Sequence, residues 1–119
     1  MSQSEIHDFG IEVVSNYLKK EGFTILGINT KLGDRPQIVA VKGKDKLVVA
    51  VETDCYPNKG KLSEEDRKEM LSIAERDAAL PYFASVGICN AQAKAEEEMS
   101  TPIKGNGFHV AYEGIVKID

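Results

Sequence analysis

The sequence predicts an α/β domain in which a mixed β-sheet is flanked by helices. Three observations support this prediction: an amphipathic helix near the start, three apolar segments joined by short turns, and a second capped helix that leads into a further strand. Short turns join antiparallel neighbours, whereas a helix between two strands makes a parallel crossover. The order is therefore αβββαβ, followed by a short C-terminal helix and C-terminal strands, and this order predicts a mixed sheet.

Two long segments carry helix signals. The first, "SEIHDFGIEVVSNYLKKEG", has apolar residues at three- and four-residue steps; Ser4 is its predicted N-cap and Gly22 its end. The second, "SEEDRKEMLSIAERDAAL", opens with a capping-box pattern from Ser63 to Asp66. A short polar helix is predicted over "NAQAKAEEEM", with Asn90 as its cap.

The strands alternate with these helices. "FTILGIN", "PQIVAVK" and "LVVAVET" precede the second helix, "YFASVGI" follows it, and "GFHVAYEGIVKI" closes the chain as edge strands. The continuous apolar run of "LVVAVET" is typical of a strand buried on both faces, so we expect it at the centre of the sheet.

Length and composition fit one domain over residues 1–119. The chain is 42% hydrophobic and 29% charged, as in a folded protein. No apolar run approaches the roughly 20 residues of a membrane span, and "MSQSEIHDFG" lacks the features of a signal peptide. We therefore expect no membrane association and a cytoplasmic location, where Cys55 and Cys89 stay reduced.

The charge balance limits the possible partners. The net charge is -4, whereas a non-specific nucleic-acid binder usually has a basic surface. Two turn regions hold a set of lysines that can form a local basic patch: Lys42, Lys44, Lys46, Lys59 and Lys61. Turn lysines also protect strand ends and keep a protein soluble, and this second interpretation is favoured.

Two carboxylates end the most apolar strand. Glu52 and Asp54 lie two residues apart, so side-chain alternation places them on one face. Gln37 follows Pro36 at the start of the neighbouring strand. Either this strand end reaches solvent and the pair is ordinary, or the pair is a site or the remnant of one.

From Glu5 to Ile88 the chain resembles the restriction-endonuclease-like superfamily, the PD-(D/E)XK nucleases. The resemblance rests on the element order and on the segments "YLKKEGFTILGIN", "RPQIVAV" and "VAVETD". It is closest to small members such as Holliday-junction-resolvase-like proteins. It implies a restriction-endonuclease-like αβββαβ core. In such enzymes, an Asp after Pro and an acid two residues before a Lys hold Mg²⁺, which activates water and neutralises charge on the phosphate.

The match to this motif is partial. Glu12 stands where a first-helix glutamate often completes the metal site, and Glu52 matches the acid of the motif. Gln37 stands in place of the metal-binding Asp, and Asp54 in place of the catalytic Lys. A neutral amide is a weaker ligand than a carboxylate, and Asp54 reverses the charge of the lysine.

The resemblance therefore implies a rearranged site. Glu12, Glu52 and Asp54 are the predicted Mg²⁺ ligands. Some members carry the lysine on a neighbouring helix, so Lys68 is a candidate for the missing cation, with Arg67 or Arg35 as substitutes. The predicted catalytic set is Glu52, Asp54, Gln37 and Lys68.

Three functions stay open from the sequence. The favoured hypothesis is a degenerate nuclease-like domain with weak or no catalysis, retained for nucleic-acid binding or assembly, with DNA as a candidate partner. The second is an active Mg²⁺-dependent DNA endonuclease. The third is a non-enzymatic interaction or regulatory homodimer that pairs through the C-terminal edge strands. Mg²⁺ is implied only if the domain is active, and no other cofactor is implied.

Overall fold

The computed structural model describes residues 2–55, 58, 60–90 and 108–119. Within them, two helices and six strands follow the order α1 Gln3–Lys20, β1 Thr24–Ile28, β2 Ile38–Lys42, β3 Asp45–Cys55, α2 Glu64–Asp77, β4 Leu80–Asn90, β5 Phe108–Ala111 and β6 Ile115–Lys117. This order confirms the predicted αβββαβ arrangement with C-terminal strands. The predicted C-terminal helix lies outside the described residues, except that its expected cap, Asn90, ends β4.

The strands form one mixed sheet. They lie in the order β1-β2-β3-β4-β5, and β6 also pairs with β4. The pairs β1–β2 and β2–β3 are antiparallel, β3–β4 is parallel, and β5 and β6 both run antiparallel to β4. The apolar strand β3 is therefore central, as predicted.

The two faces of β3 pack against different helices. Val49 and Val51 belong to the core that contains the buried residues of α1, whereas Val48 and Ala50 pack with the buried residues of α2. Because strand side chains alternate between faces, even-numbered residues of β3 point to the α2 side. Glu52 continues this even-numbered row.

The start of α1 differs from the prediction. Ser2, not Ser4, is the N-cap. The Glu5 amide donates to Ser2 Oγ at 3.1 Å, and the Ser2 amide donates back to Glu5 Oε1 at 3.0 Å. This reciprocal capping box satisfies two helix-end donors, so the helix begins before the predicted cap. The start of α2 is as predicted, since Ser63 Oγ accepts from the Asp66 amide at 3.1 Å.

Both helices run antiparallel to β3. Gly10, in the first half of α1, lies against Thr53, and Lys42 Nζ donates to the Glu21 carbonyl at the other end of that helix, at 2.8 Å. Asp66, near the start of α2, contacts the same arginine as Glu52. The N-termini of both helices therefore lie at the end of β3 that carries Glu52.

The lysine-rich turns do not form one patch. Lys42, Lys44 and Lys46 surround the turn before β3. Lys61 lies beside Gly60, which contacts the Glu52 backbone near the other end of β3. The 11 residues of β3 span roughly 35 Å, so the two groups are far apart. Lys59 lies outside the described residues. Among the described residues, no helix is long and apolar enough to cross a membrane.

Candidate functional site

A buried ion-pair network lies at the end of β3. The Arg35 guanidinium donates through Nη2 to Glu52 Oε1 and lies 3.1 Å from Asp66 Oδ2. The side chains are largely buried, with 10% of Arg35 and 20% of Glu52 exposed. Arginine is suited to this position because its planar, permanently charged group can engage two carboxylates at once. The network joins the β1–β2 loop, β3 and α2.

The loop between β1 and β2 holds Arg35 in place. Arg35 Nη1 donates to the Gly33 carbonyl at 3.2 Å. The Asn29 amide donates to the Gln37 carbonyl at 2.8 Å, which closes the base of the loop. Gly33 has a φ of +86°, a conformation that glycine adopts without strain. These contacts aim the guanidinium at the end of β3.

Gln37 has a role in the sheet. Its side chain is buried, and Oε1 accepts a hydrogen bond from the Val51 amide at 2.8 Å. Its Nε2 donates to the Asp34 carbonyl at 2.6 Å. The amide therefore satisfies one backbone donor of β3 and one acceptor of the β1–β2 loop. A carboxylate at this position has no proton to donate to Asp34, so these contacts require an amide.

Burial and charge act against each other on Glu52. Burial raises the pKa of its carboxyl group, and the Arg35 guanidinium opposes this with a smaller effect. The neighbouring Asp66 carboxylate raises the pKa further, and His7 of α1 lowers it slightly. The arginine is thus the main group that favours the ionised form of Glu52 at this buried position.

A pocket opens beside the network. It has a volume of about 350 Å³ and is lined by Glu52, Thr53, Asp54, Asn58, Gly60 and Lys61. Glu52 and Asp54 are therefore brought together, as strand alternation predicts. Asp54 is exposed, and its Oδ1 accepts from the Cys55 amide at 2.8 Å. Asn58 and Lys61 were not predicted as site residues, because they reach the pocket only through the path of the loop after β3.

The other predicted site residues lie elsewhere. Glu12 is exposed on α1, across the sheet from the face that Glu52 continues. Lys68 is exposed on α2, and Arg67 pairs with Glu64 at 2.7 Å. Among the predicted cations, Arg35 is the one paired with Glu52. The predicted roles of Glu12, Glu52 and Asp54 as ligands, and of the catalytic set, stay predictions.

The arrangement does not fit a divalent metal ion. Among the described residues, no three His, Cys, Asp or Glu side chains are grouped so that they could hold one. Mg²⁺ usually keeps several waters and is held through one or two carboxylates in near-octahedral geometry, so what matters here is whether those carboxylates are free. The two carboxylates that meet at the end of β3, Glu52 and Asp66, already share the Arg35 guanidinium. The positive charge that a metal would supply is therefore provided by a side chain.

Two members of this neighbourhood were not predicted. Asp66 was interpreted only as part of a helix cap, and its contact with Arg35 depends on how α2 packs on the sheet. His7 is 7% exposed, and its Nε2 has no hydrogen-bond partner among the described residues. Its position on the buried stripe of α1 was the available signal, since a buried polar residue in an apolar stripe calls for an explanation.

Cys55 should react slowly with alkylating agents. Burial raises the pKa of its thiol, and the Asp54 carboxylate raises it further, so less of the reactive thiolate is present at neutral pH. In a Cys89→Ser background, we expect Asp54→Asn to increase the rate of carboxymethylation near pH 8. Glu113→Gln, a distant change of the same charge, is the control. Equal rates for Asp54→Asn and its parent would contradict this assignment.

No curated protein matches the chain. Among solved structures, Hjc, a Holliday junction resolvase from Archaeoglobus fulgidus, matches with 22% sequence identity and a TM-score of 0.49. The match covers 65% of each chain, so it spans slightly less than two thirds of the resolvase. The model of the family described as Domain of unknown function (DUF8840) matches residues 4–118, and the chain therefore belongs to that family.

Proposed function

We propose that this chain is a degenerate nuclease-like domain of the PD-(D/E)XK type, which does not cleave phosphodiester bonds and is retained for nucleic-acid binding. The observation that carries the proposal is the Arg35 guanidinium, which pairs with both Glu52 and Asp66. In the nucleases that the sequence resembles, the corresponding acid holds Mg²⁺. Here that acid is already neutralised.

Displacing the arginine would be costly. A metal ion would have to separate Arg35 from two carboxylates and leave a guanidinium with 10% of its side chain exposed without a carboxylate partner. Breaking a buried pair by removing one partner typically costs about 3 to 5 kcal/mol. Mg²⁺ gives up its waters reluctantly and needs several oxygen ligands in return. The exchange therefore favours the arginine.

Two further positions support the loss of catalysis. The Gln37 side chain is committed to hydrogen bonds with the Val51 amide and the Asp34 carbonyl. Asp54 places a negative charge where the resembled motif has a lysine that assists the attacking water. Without a metal-bound water and without that lysine, neither nucleophile activation nor charge neutralisation at the phosphate is provided.

A cleavage assay tests this proposal. The wild type and Glu52→Gln are incubated with linear, single-stranded and four-way-junction DNA, in Mg²⁺ and in Mn²⁺. We expect no cleavage by the wild type above the background of the variant. Cleavage by the wild type that Glu52→Gln abolishes would overturn the proposal and favour an active Mg²⁺-dependent endonuclease.

A homodimer is a second candidate, favoured by the C-terminal edge of the sheet. Val110 of β5 and Val116 of β6 are 39% and 65% exposed, and exposed edge strands commonly pair with other chains. Sedimentation of the wild type and of Val116→Lys checks this. A dimer that the lysine variant dissociates would support assembly through this edge, whereas a monomeric wild type would remove the candidate.

A further inference from the structure

The charges of the fold are segregated along β3. We define the lysine end as the surface around the turn before β3 and the end of α1, with Lys19, Lys20, Lys42, Lys44 and Lys46. The carboxylate end is the opposite end of the same strand, with Glu52, Asp54, Glu64, Glu65 and Asp66. The protein, whose net charge is -4, therefore has a local basic surface.

The contact between Lys42 and Glu21 fixes the lysine end. Lys42 Nζ donates to the Glu21 carbonyl at 2.8 Å and lies 5.5 Å from the centroid of the Phe23 ring. This contact joins the end of α1 to the start of the β2–β3 turn. It therefore brings the two lysines of α1 into the same surface as the lysines of the turn.

Most of these lysines are available to a partner. Lys19, Lys20 and Lys44 are exposed, and among the described residues none of them forms an ion pair. Two acidic side chains, Glu21 and Asp45, lie beside these lysines in the chain. Asp77 also faces Lys46, but it is already paired with Arg76 at 3.0 Å.

The composition of this surface selects the kind of partner. Lysines act as point charges that suit phosphate, whereas arginine forks dominate the reading of bases. The neighbouring aromatic ring, Phe23, lies beneath the Lys42 amine and offers no free face on which an unpaired base can stack. Duplex backbone contact needs neither arginine nor stacking. The carboxylate end also holds Arg35, Arg67 and Lys61, but its acidic side chains offset them, so it has no comparable excess of positive charge.

We propose that the lysine end binds the phosphate backbone of duplex DNA, without sequence preference and away from the former active centre. This inference rests on the nucleic-acid binding proposed above and assigns its surface. It implies that DNA contacts the domain roughly 23 Å, the seven residues of β3 from Asp45 to Glu52, from the place where the resembled nucleases hold their metal.

Fluorescence anisotropy with a short labelled duplex tests the assignment. The wild type is compared with Lys20→Gln/Lys44→Gln at the lysine end and with Lys31→Gln/Lys117→Gln, in the β1–β2 loop and on β6, outside both the lysine end and the pocket. Both variants remove two exposed charges, so their net charges match. We expect the first to weaken binding about tenfold at low salt and to reduce the slope of log K against log salt by about 1.8, as for two lost phosphate contacts. The second should bind like the wild type.

The outcomes separate this inference from the proposed function. Binding by the wild type that Lys31→Gln/Lys117→Gln weakens as much as, or more than, Lys20→Gln/Lys44→Gln would overturn the lysine end but leave nucleic-acid binding intact. No duplex binding by the wild type even near 50 mM salt would overturn both. Circular dichroism of each variant confirms that it is folded before it is scored.

Discussion

Replacing Glu52 by glutamine should leave the free energy of unfolding at neutral pH unchanged or slightly higher, because burial raises the pKa of this carboxyl group even beside Arg35, so folding favours its uncharged form. The variant leaves the Arg35 guanidinium, with 10% of its side chain exposed, opposite a neutral amide. Asp66 remains as a partner, so the variant does not leave the guanidinium without a carboxylate. Urea denaturation at neutral pH measures the effect.

Asp54→Asn is the matched control. It makes the same chemical change two residues further along β3, on an exposed side chain, and we expect a change within about 0.5 kcal/mol. This pair of variants separates a structural role from a catalytic one. A stable Glu52→Gln protein that has lost a measurable activity would show that Glu52 serves chemistry and not the fold.

The pH dependence of the same variant has a defined sign. Because burial raises the pKa of Glu52 in the folded protein, folding favours its protonated form. Its titration therefore contributes stability that is fully present below the unfolded pKa, near 4.5, and is lost as pH rises through the folded pKa. Above the unfolded pKa, the wild type should therefore lose stability relative to Glu52→Gln, which lacks this titrating group.

Gly10→Ala should destabilise the fold by at least about 2 kcal/mol. A Cβ at this position would lie 1.7 Å from Thr53 Oγ1 and 2.8 Å from Thr53 Cβ. Alanine in a helix normally gains up to about 1 kcal/mol over glycine. Overpacking of a core contact typically costs about 1 to 3 kcal/mol and occasionally more; the 1.7 Å approach to Thr53 Oγ1 puts this contact at or above the upper end, so the steric term wins and α1 must move away from β3.

Two further variants make this test specific. Gly27→Ala introduces the same methyl group where no heavy atom lies within 4 Å, and it should change stability little. Thr53→Ala removes the closer of the two obstructing groups, so the double variant Gly10→Ala/Thr53→Ala should recover part of the loss. Full additivity of the two single changes would show that the clash with Thr53 is not the cause.

The elements of the fold could be predicted because their signals are local. The apolar run of β3 and the crossover through α2 were sufficient to predict a mixed sheet with β3 at its centre. The cap of α1 was misplaced because both Ser2 and Ser4 precede the apolar stripe, and only the reciprocal bonds with Glu5 select Ser2. Local patterns alone do not rank two nearby caps.

The site could be predicted only in part. Strand alternation correctly put Glu52 and Asp54 beside one pocket, since that rule needs one strand alone. The partner of Glu52 depends on how the β1–β2 loop folds back and how α2 packs. Arg35 was therefore one of three candidate cations, and Asp66 was not considered as its second carboxylate. Long-range contacts of this kind leave no periodic signal in the sequence.

The hydrogen bonds of Gln37 also bear on how this chain could change over generations. Its amide serves both the Val51 nitrogen and the Asp34 oxygen. Restoring the aspartate of the resembled motif at this position alone would leave the Asp34 carbonyl without its donor and would bury an additional negative charge. The single change Gln37→Asp would thus destabilise the protein before metal binding could provide any gain. The aspartate of the motif could therefore be reached from the present site only through several simultaneous substitutions.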